Sequence, residues 1–133
     1  MKNLLVLALL ALGSSALFAD NHEAFEAAMK KAGKTMGPLK KALDVNNFVD
    51  AKPGAQALVE IYDTTEKFWK ERKADDAIQS SMTGKAAAAA LLAAVAAEKS
   101  DDARAAFGKL AGTCKGCHEA HREKLADGTY KIK

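Results

Sequence analysis

The sequence predicts an all-α protein, an antiparallel four-helix bundle, and three observations carry that expectation. Apolar residues recur at spacings of three and four along most of the chain, the period of helices packed in bundles. The stretches between them are short and hold turn residues such as Asn46-Asn47, Pro53-Gly54 and Asp127-Gly128. No segment alternates apolar and polar residues as a half-buried strand does. With 133 residues the chain has room for one domain and one core.

Residues 1–19 have the layout of a secretory leader. Lys2 supplies a positive charge, Leu4 to Leu12 form an apolar run, and Gly13 to Ala19 offers small residues for cleavage. The run falls short of the ~20 apolar residues a membrane span needs. Cleavage is expected after Ala19, with Ala16 as the alternative, leaving 20–133 as an exported bundle domain. Loss of Lys2 lowers the formal net charge from +3 to +2. So small an excess argues against a nucleic-acid partner. Nothing beyond residue 19 is apolar enough to span a membrane, so no membrane association is expected after cleavage.

The first helix carries Phe25, Met29, Ala32, Met36, Leu39 and Leu43 on one seam, with a kink or break expected at Gly37-Pro38. Asp44 to Pro53 reads as a connection. The second helix is expected over Gly54–Arg72, with Ala55, Leu58, Tyr62, Thr65 and Trp69 on one stripe and Ile61 and Phe68 beside it. The third covers Ala77–Glu98, has Gly84 as a weak point, and contains an alanine tract of high helix propensity. Ser100-Asp101-Asp102 signals the start of the fourth, a capping hydroxyl followed by two acids facing the helix dipole. That helix aligns Ala103, Phe107, Leu110, Cys114, His118, His121 and Leu125, and Asp127-Gly128 is expected to stop it.

Cys114-Lys115-Gly116-Cys117-His118 is the feature that carries chemistry. Cysteines three apart on a helix share a face but do not readily close a disulfide. With His118 they stand at i, i+3 and i+4. Two thiols so placed reach two vinyl groups of a haem, and the adjacent imidazole reaches its iron; the pattern is that of covalent c-type haem attachment. A thioredoxin-like pair would want a βαβ context, and a zinc site would want a second pair of ligands. Neither is present in the sequence. One haem c, bound through Cys114 and Cys117, is the expected cofactor.

The segment Arg104-Ala105-Ala106-Phe107-Gly108 to Arg122, with its Cys-x-x-Cys-His-x-x-x-Arg ending near the C-terminus, resembles class II cytochromes c, that is, cytochrome c′ and its low-spin c-556 relatives. The resemblance covers the mature chain in architecture and the last third in sequence detail. It implies a four-helix bundle with haem on the last helix, Cys114 and Cys117 as thioether cysteines and His118 as proximal ligand. It further implies that Trp69 lies near the haem and Arg122 near its proximal side. For Trp69 the alternative is a core aromatic, and for Arg122 a solvated surface charge.

Within that family, function depends on the residue facing iron opposite the histidine. If Gly128 ends the fourth helix, His118 lies about 12–14 Å from that end, and an antiparallel first helix reaches the same height near Met29. Met29 is then the sixth ligand. Phe25, one turn earlier, instead blocks the site and leaves iron five-coordinate; Met36 or a histidine is a third option. The arginine that cytochromes c′ often carry before the distal position is missing, with Asn21 and Phe25 in the candidate places. His22 is expected at the exposed helix start and His121 beside the haem or in the bundle seam. The alanine tract either serves close helix approach or makes room for a porphyrin walled by Leu91, Leu92 and Val95.

Two functions follow from these alternatives. With His118 and Met29 as iron ligands the expectation is a periplasmic one-electron carrier, not an enzyme, docking transiently on redox partner proteins through a lysine-bearing rim. With five-coordinate iron it is a cytochrome c′-like protein that binds NO or CO. The resemblance also allows a homodimer through the first two helices.

Overall fold

A computed structural model describes the backbone of residues 4–133 and the side chains of residues 21–133. The expected leader and its cleavage positions, Ala16 and Ala19, lie outside the residues whose side chains are described. Four helices make up most of the chain: α1 Leu4–Asp44, α2 Phe48–Arg72, α3 Asp75–Ala96 and α4 Ser100–His121. Two short strands follow, β1 Arg122–Lys124 and β2 Tyr130–Ile132, paired antiparallel with Glu123 opposite Lys131. The helices form an antiparallel four-helix bundle, as links this short require of neighbouring helices.

Each link turns through one left-handed residue, Asn46 (φ 57°), Lys73 (φ 53°) or Glu98 (φ 56°). The next amide then reaches back to the preceding helix: Asn47 N to Ala42 O at 2.8 Å, Ala74 N to Trp69 O at 3.3 Å, and Lys99 N to Ala94 O at 2.9 Å. These bonds satisfy carbonyls that a helix end leaves unpaired. From across the bundle, Arg104 Nη2 adds a donor to Leu43 O at 3.1 Å and to Asn46 Oδ1 at 2.6 Å, tying α4 to the first link.

Several sequence expectations need correction. Helix α1 runs through Gly37-Pro38 without a break. Both residues are exposed, so the carbonyl that loses its partner to proline can turn to water while Leu39, Ala42 and Leu43 stay buried. The expected connection 44–53 shrinks to 45–47, because Asn47 caps α2 by accepting from Asp50 N at 3.0 Å and Pro53 sits on the exposed side of the early helix. Helix α3 starts and ends two residues earlier than expected. Ser100 is the first helical residue, not the cap; Lys99 holds the cap position without a side-chain bond, while Asp101 and Asp102 do lie in the first turn. Helix α4 stops at His121, and the residues assigned to its end form the β-hairpin.

One leucine from each helix (Leu39, Leu58, Leu91 and Leu110) is fully buried at the centre. Each contributes about 1.5–3 kcal/mol by leaving water. The alanine tract belongs to this core: Ala87 and Ala88 pack there with Leu91, Ala94 and Val95, which lets α3 sit close to both α2 and α4. A second cluster, Phe25, Phe68, Trp69 and Ala77, closes the other end of the bundle, with Ile132 of β2 against it.

Candidate cofactor site

Helices α1 and α4 touch each other far less than the other neighbouring helices do. The space left is a cavity of about 770 Å3 that reaches across the bundle between the two apolar clusters. That volume falls in the range of roughly 300–1,000 Å3 usual for small-molecule and cofactor sites. Every site residue expected from sequence lines it: Phe25 and Met29 on α1, Trp69 on α2, Cys114, Cys117 and His118 on α4, and Arg122 at the start of β1. Met36 and His121 line it too. His22 does not; it is half-buried, with Nε2 3.3 Å from Glu26. Asn21 is also elsewhere, donating to both carboxylate oxygens of Glu71 at 2.7 Å. The proposed porphyrin walls Leu91, Leu92 and Val95 do not reach the cavity, since that part of α3 faces the leucine core.

The two cysteines are free and half-buried on one lip. Burial, then the Asp76 carboxylate, pushes the Cys117 thiol up, so it stays protonated. Burial, and after it the Arg122 guanidinium, holds His118 below the usual histidine range. Its imidazole is therefore neutral with a lone pair free for a metal. Arg122 no longer follows His118 on the helix: it has extended backbone, and its guanidinium sits 4.1 Å over the Tyr130 ring.

Aromatic contacts stiffen the wall that α1 and α2 contribute, and Cys117 packs against it. Phe25 stacks on Phe68 at 4.0 Å and meets Trp69 edge-on at 5.5 Å. Trp69 in turn lies 4.7 Å from the His121 ring, whose Nε2 is bonded to Asp76 Oδ2 at 2.8 Å. The Trp69 indole N–H is buried without a hydrogen-bond partner, alone in this among the described side chains. An unpaired buried donor costs free energy, so a group entering the cavity with an acceptor would relieve it. A haem fits these features: two thiols and an imidazole on one lip, apolar walls, and a waiting donor.

Sequence reasoning missed several parts of the lining, Tyr62, the α3 serines Ser80 and Ser81, Thr113 and the hairpin among them. Tyr62 was read only as part of an apolar stripe, yet a tyrosine in such a stripe needs a partner for its hydroxyl, and that need was the available signal. Thr129 to Ile132 of the hairpin also line the cavity. Asp127-Gly128 marked the turn, with Gly128 at φ 85°, but strands of three residues leave no readable alternation.

A family model described as cytochrome C′ matches residues 52–122, more than half of the chain. The chain belongs to the cytochrome c′ family. Its cofactor is the covalently attached haem c of that family. Among solved structures the chain is similar to a cytochrome c′ described as having an unusual ligand-controlled dimer dissociation (19% identity, TM-score 0.65, 86% of this chain and 95% of that one). It is also similar to cytochrome c′ from Thermochromatium tepidum (18%, TM-score 0.62, 86% and 95%). A third is the nitric oxide complex of a variant of cytochrome c prime from Alcaligenes xylosoxidans (19%, TM-score 0.62, 81% and 97%). At such identities these likenesses speak for the four-helix fold. No curated protein matches the sequence significantly.

Proposed function

We propose that the protein is an exported haem protein of the cytochrome c′ kind that binds a small diatomic gas, NO or CO, at five-coordinate iron. Cys114 and Cys117 are the attachment sulfurs and His118 the proximal ligand. The observation that carries this reading is the α1 wall of the cavity, where Phe25 is buried and locked by stacking on Phe68. The nitric oxide complex among the structural neighbours supports it. Haem held by Cys114, Cys117 and His118 would supply a redox-active iron with affinity for diatomic ligands.

The chain's own residues then divide the work. His118 would hold the iron from α4, Phe25 and its aromatic neighbours would exclude water from the cavity, and Arg122 would lend a cation at the rim. Met29 favours a second reading, the one-electron carrier, because its thioether also lines the cavity. Yet that side chain packs against both apolar clusters, which favours its staying in the wall. The register argument for Met29 loses its premise as well, because α4 ends at His121.

Absorption spectra with and without CO separate the two readings. A high-spin spectrum, ready CO binding in the ferrous state and no change of spin state in Met29→Ala are expected. A low-spin spectrum that resists CO and is lost in Met29→Ala would replace gas binding with electron transfer. Export through residues 1–19 into the periplasm predicts a mature chain that starts at Asp20, or at Leu17 for the alternative cleavage, read by intact mass. The exposed Val45 and Val49 near the α1–α2 link support a homodimer through those helices, which sedimentation with and without CO tests.

A further inference from the structure

Tyr62 stands at a junction of three helices that the haem reading does not use. Helix α2 sends its ring across to α3, where Gly84 opens a notch: a Cβ there would lie 1.9 Å from Tyr62 Cε1 and 2.5 Å from Cδ1 and Cζ. Any other residue at position 84 displaces the ring. The hydroxyl continues to α4, 2.8 Å from Thr113 Oγ1, 3.4 Å from Leu110 O and 3.7 Å from Cys114 Sγ. Thr113 Oγ1 commits its own proton to Leu110 O at 2.7 Å. It therefore accepts from Tyr62, and the phenol oxygen is left to accept from the Cys114 thiol. The other acceptor for that thiol is Leu110 O, farther away at 3.9 Å.

From this geometry we propose that Tyr62 is a positioning residue for haem attachment, its hydroxyl orienting the Cys114 sulfur on the lip of the cavity. The inference rests on the haem reading above. Once Cys114 is a thioether its sulfur has no proton and can only accept, so the same phenol turns its own proton between Thr113 Oγ1 and the sulfur. Burial raises the Tyr62 hydroxyl far above the usual tyrosine range, so it remains a donor at any physiological pH. Cys117 has no such partner among the described residues, and the two attachment sulfurs are thus oriented differently.

The test is Tyr62→Phe, which keeps the ring in its notch and removes only the hydroxyl. Haem-loaded protein is purified from the same cells as wild type, digested, and the haem peptides are weighed. Loss of one ordinary hydrogen bond shifts the orientation of Cys114 by roughly fivefold. The expected result is a rise of that order in chains holding haem through Cys117 alone, together with a shifted visible band in the doubly attached fraction. Thr113→Val is the second variant. It removes the nearest competing acceptor, leaves the phenol proton to Leu110 O and the sulfur, and should move the band in the opposite direction at wild-type attachment. Bands that move together in both variants, or wild-type attachment and spectra in Tyr62→Phe, overturn the proposal. Absence of covalent haem from the wild-type protein would instead defeat the haem reading itself.

Discussion

Gly84→Ala tests how tightly the bundle is built around Tyr62. The added methyl would stand 1.9 Å from a ring carbon, well inside contact distance, and the ring is buried within the core cluster. Forcing a methyl into so tight a core costs about 1–3 kcal/mol. Displacing the ring also strips the hydroxyl of its bond to Thr113, about 1 kcal/mol more. Against this, alanine is better than glycine inside a helix by about 1 kcal/mol. The balance is a loss of about 1–3 kcal/mol, or a midpoint lower by about 4–12 °C for a domain of this size. Thermal unfolding of haem-loaded protein, followed by far-ultraviolet circular dichroism, reads it directly. Gly108→Ala is the control: nothing lies within 4 Å of a Cβ at that helical position, so it should gain stability by helix propensity alone. Gly84→Ala matching or exceeding the parent would refute the close approach of α2 and α3 through Tyr62.

Two further outcomes follow from the mouth of the cavity. The bond from His121 holds the Asp76 carboxyl below the usual aspartate range, so its stabilising effect is present above the unfolded-state pKa and fades as pH falls through the lower folded value. Asp76→Asn should therefore lower the unfolding midpoint near neutral pH and converge with the parent in acid; a constant offset across pH would contradict that linkage. Deleting residues 125–133 removes Ile132 from the aromatic cluster and the Lys133 N–H from the His121 carbonyl. The shortened protein should still carry covalent haem but oxidise faster in air after reduction, and an unchanged rate would mean that the hairpin does not shield the site.

Much of the fold was legible because bundle helices announce themselves by period. The seam from Phe25 to Leu43 faces inward as expected, and the attachment motif needed only its spacing. What escaped was decided by contacts rather than by pattern. Pro38 and Pro53 looked like breaks, yet a helix tolerates a proline whose lost hydrogen bond faces water. Gly84 looked like a weak point, yet it is the notch that seats Tyr62. Of the two readings of the alanine tract, close helix approach holds: the small side chains bring α3 against its neighbours and leave no room for a flat cofactor there. Leu125 continued the α4 stripe by period, but α4 had already ended at His121 and the chain turned into the hairpin.

The placement of the cavity follows from how α4 changes along its length. Its first half buries Ala103 and Leu110 completely, and the leucine core is complete there. From Thr113 to His121 no side chain of α4 is fully buried, because Thr113, the two cysteines, His118 and His121 take the inward positions where a closed bundle would place leucines. The core is thus divided into two clusters, and Met29 is the one described side chain packed against both. A flat apolar group held by α4 would supply the contacts missing between them. Attachment chemistry and packing therefore point to the same half of the same helix: the residues that bind the cofactor are those that leave a place for it, and the haem counts among the elements of the core.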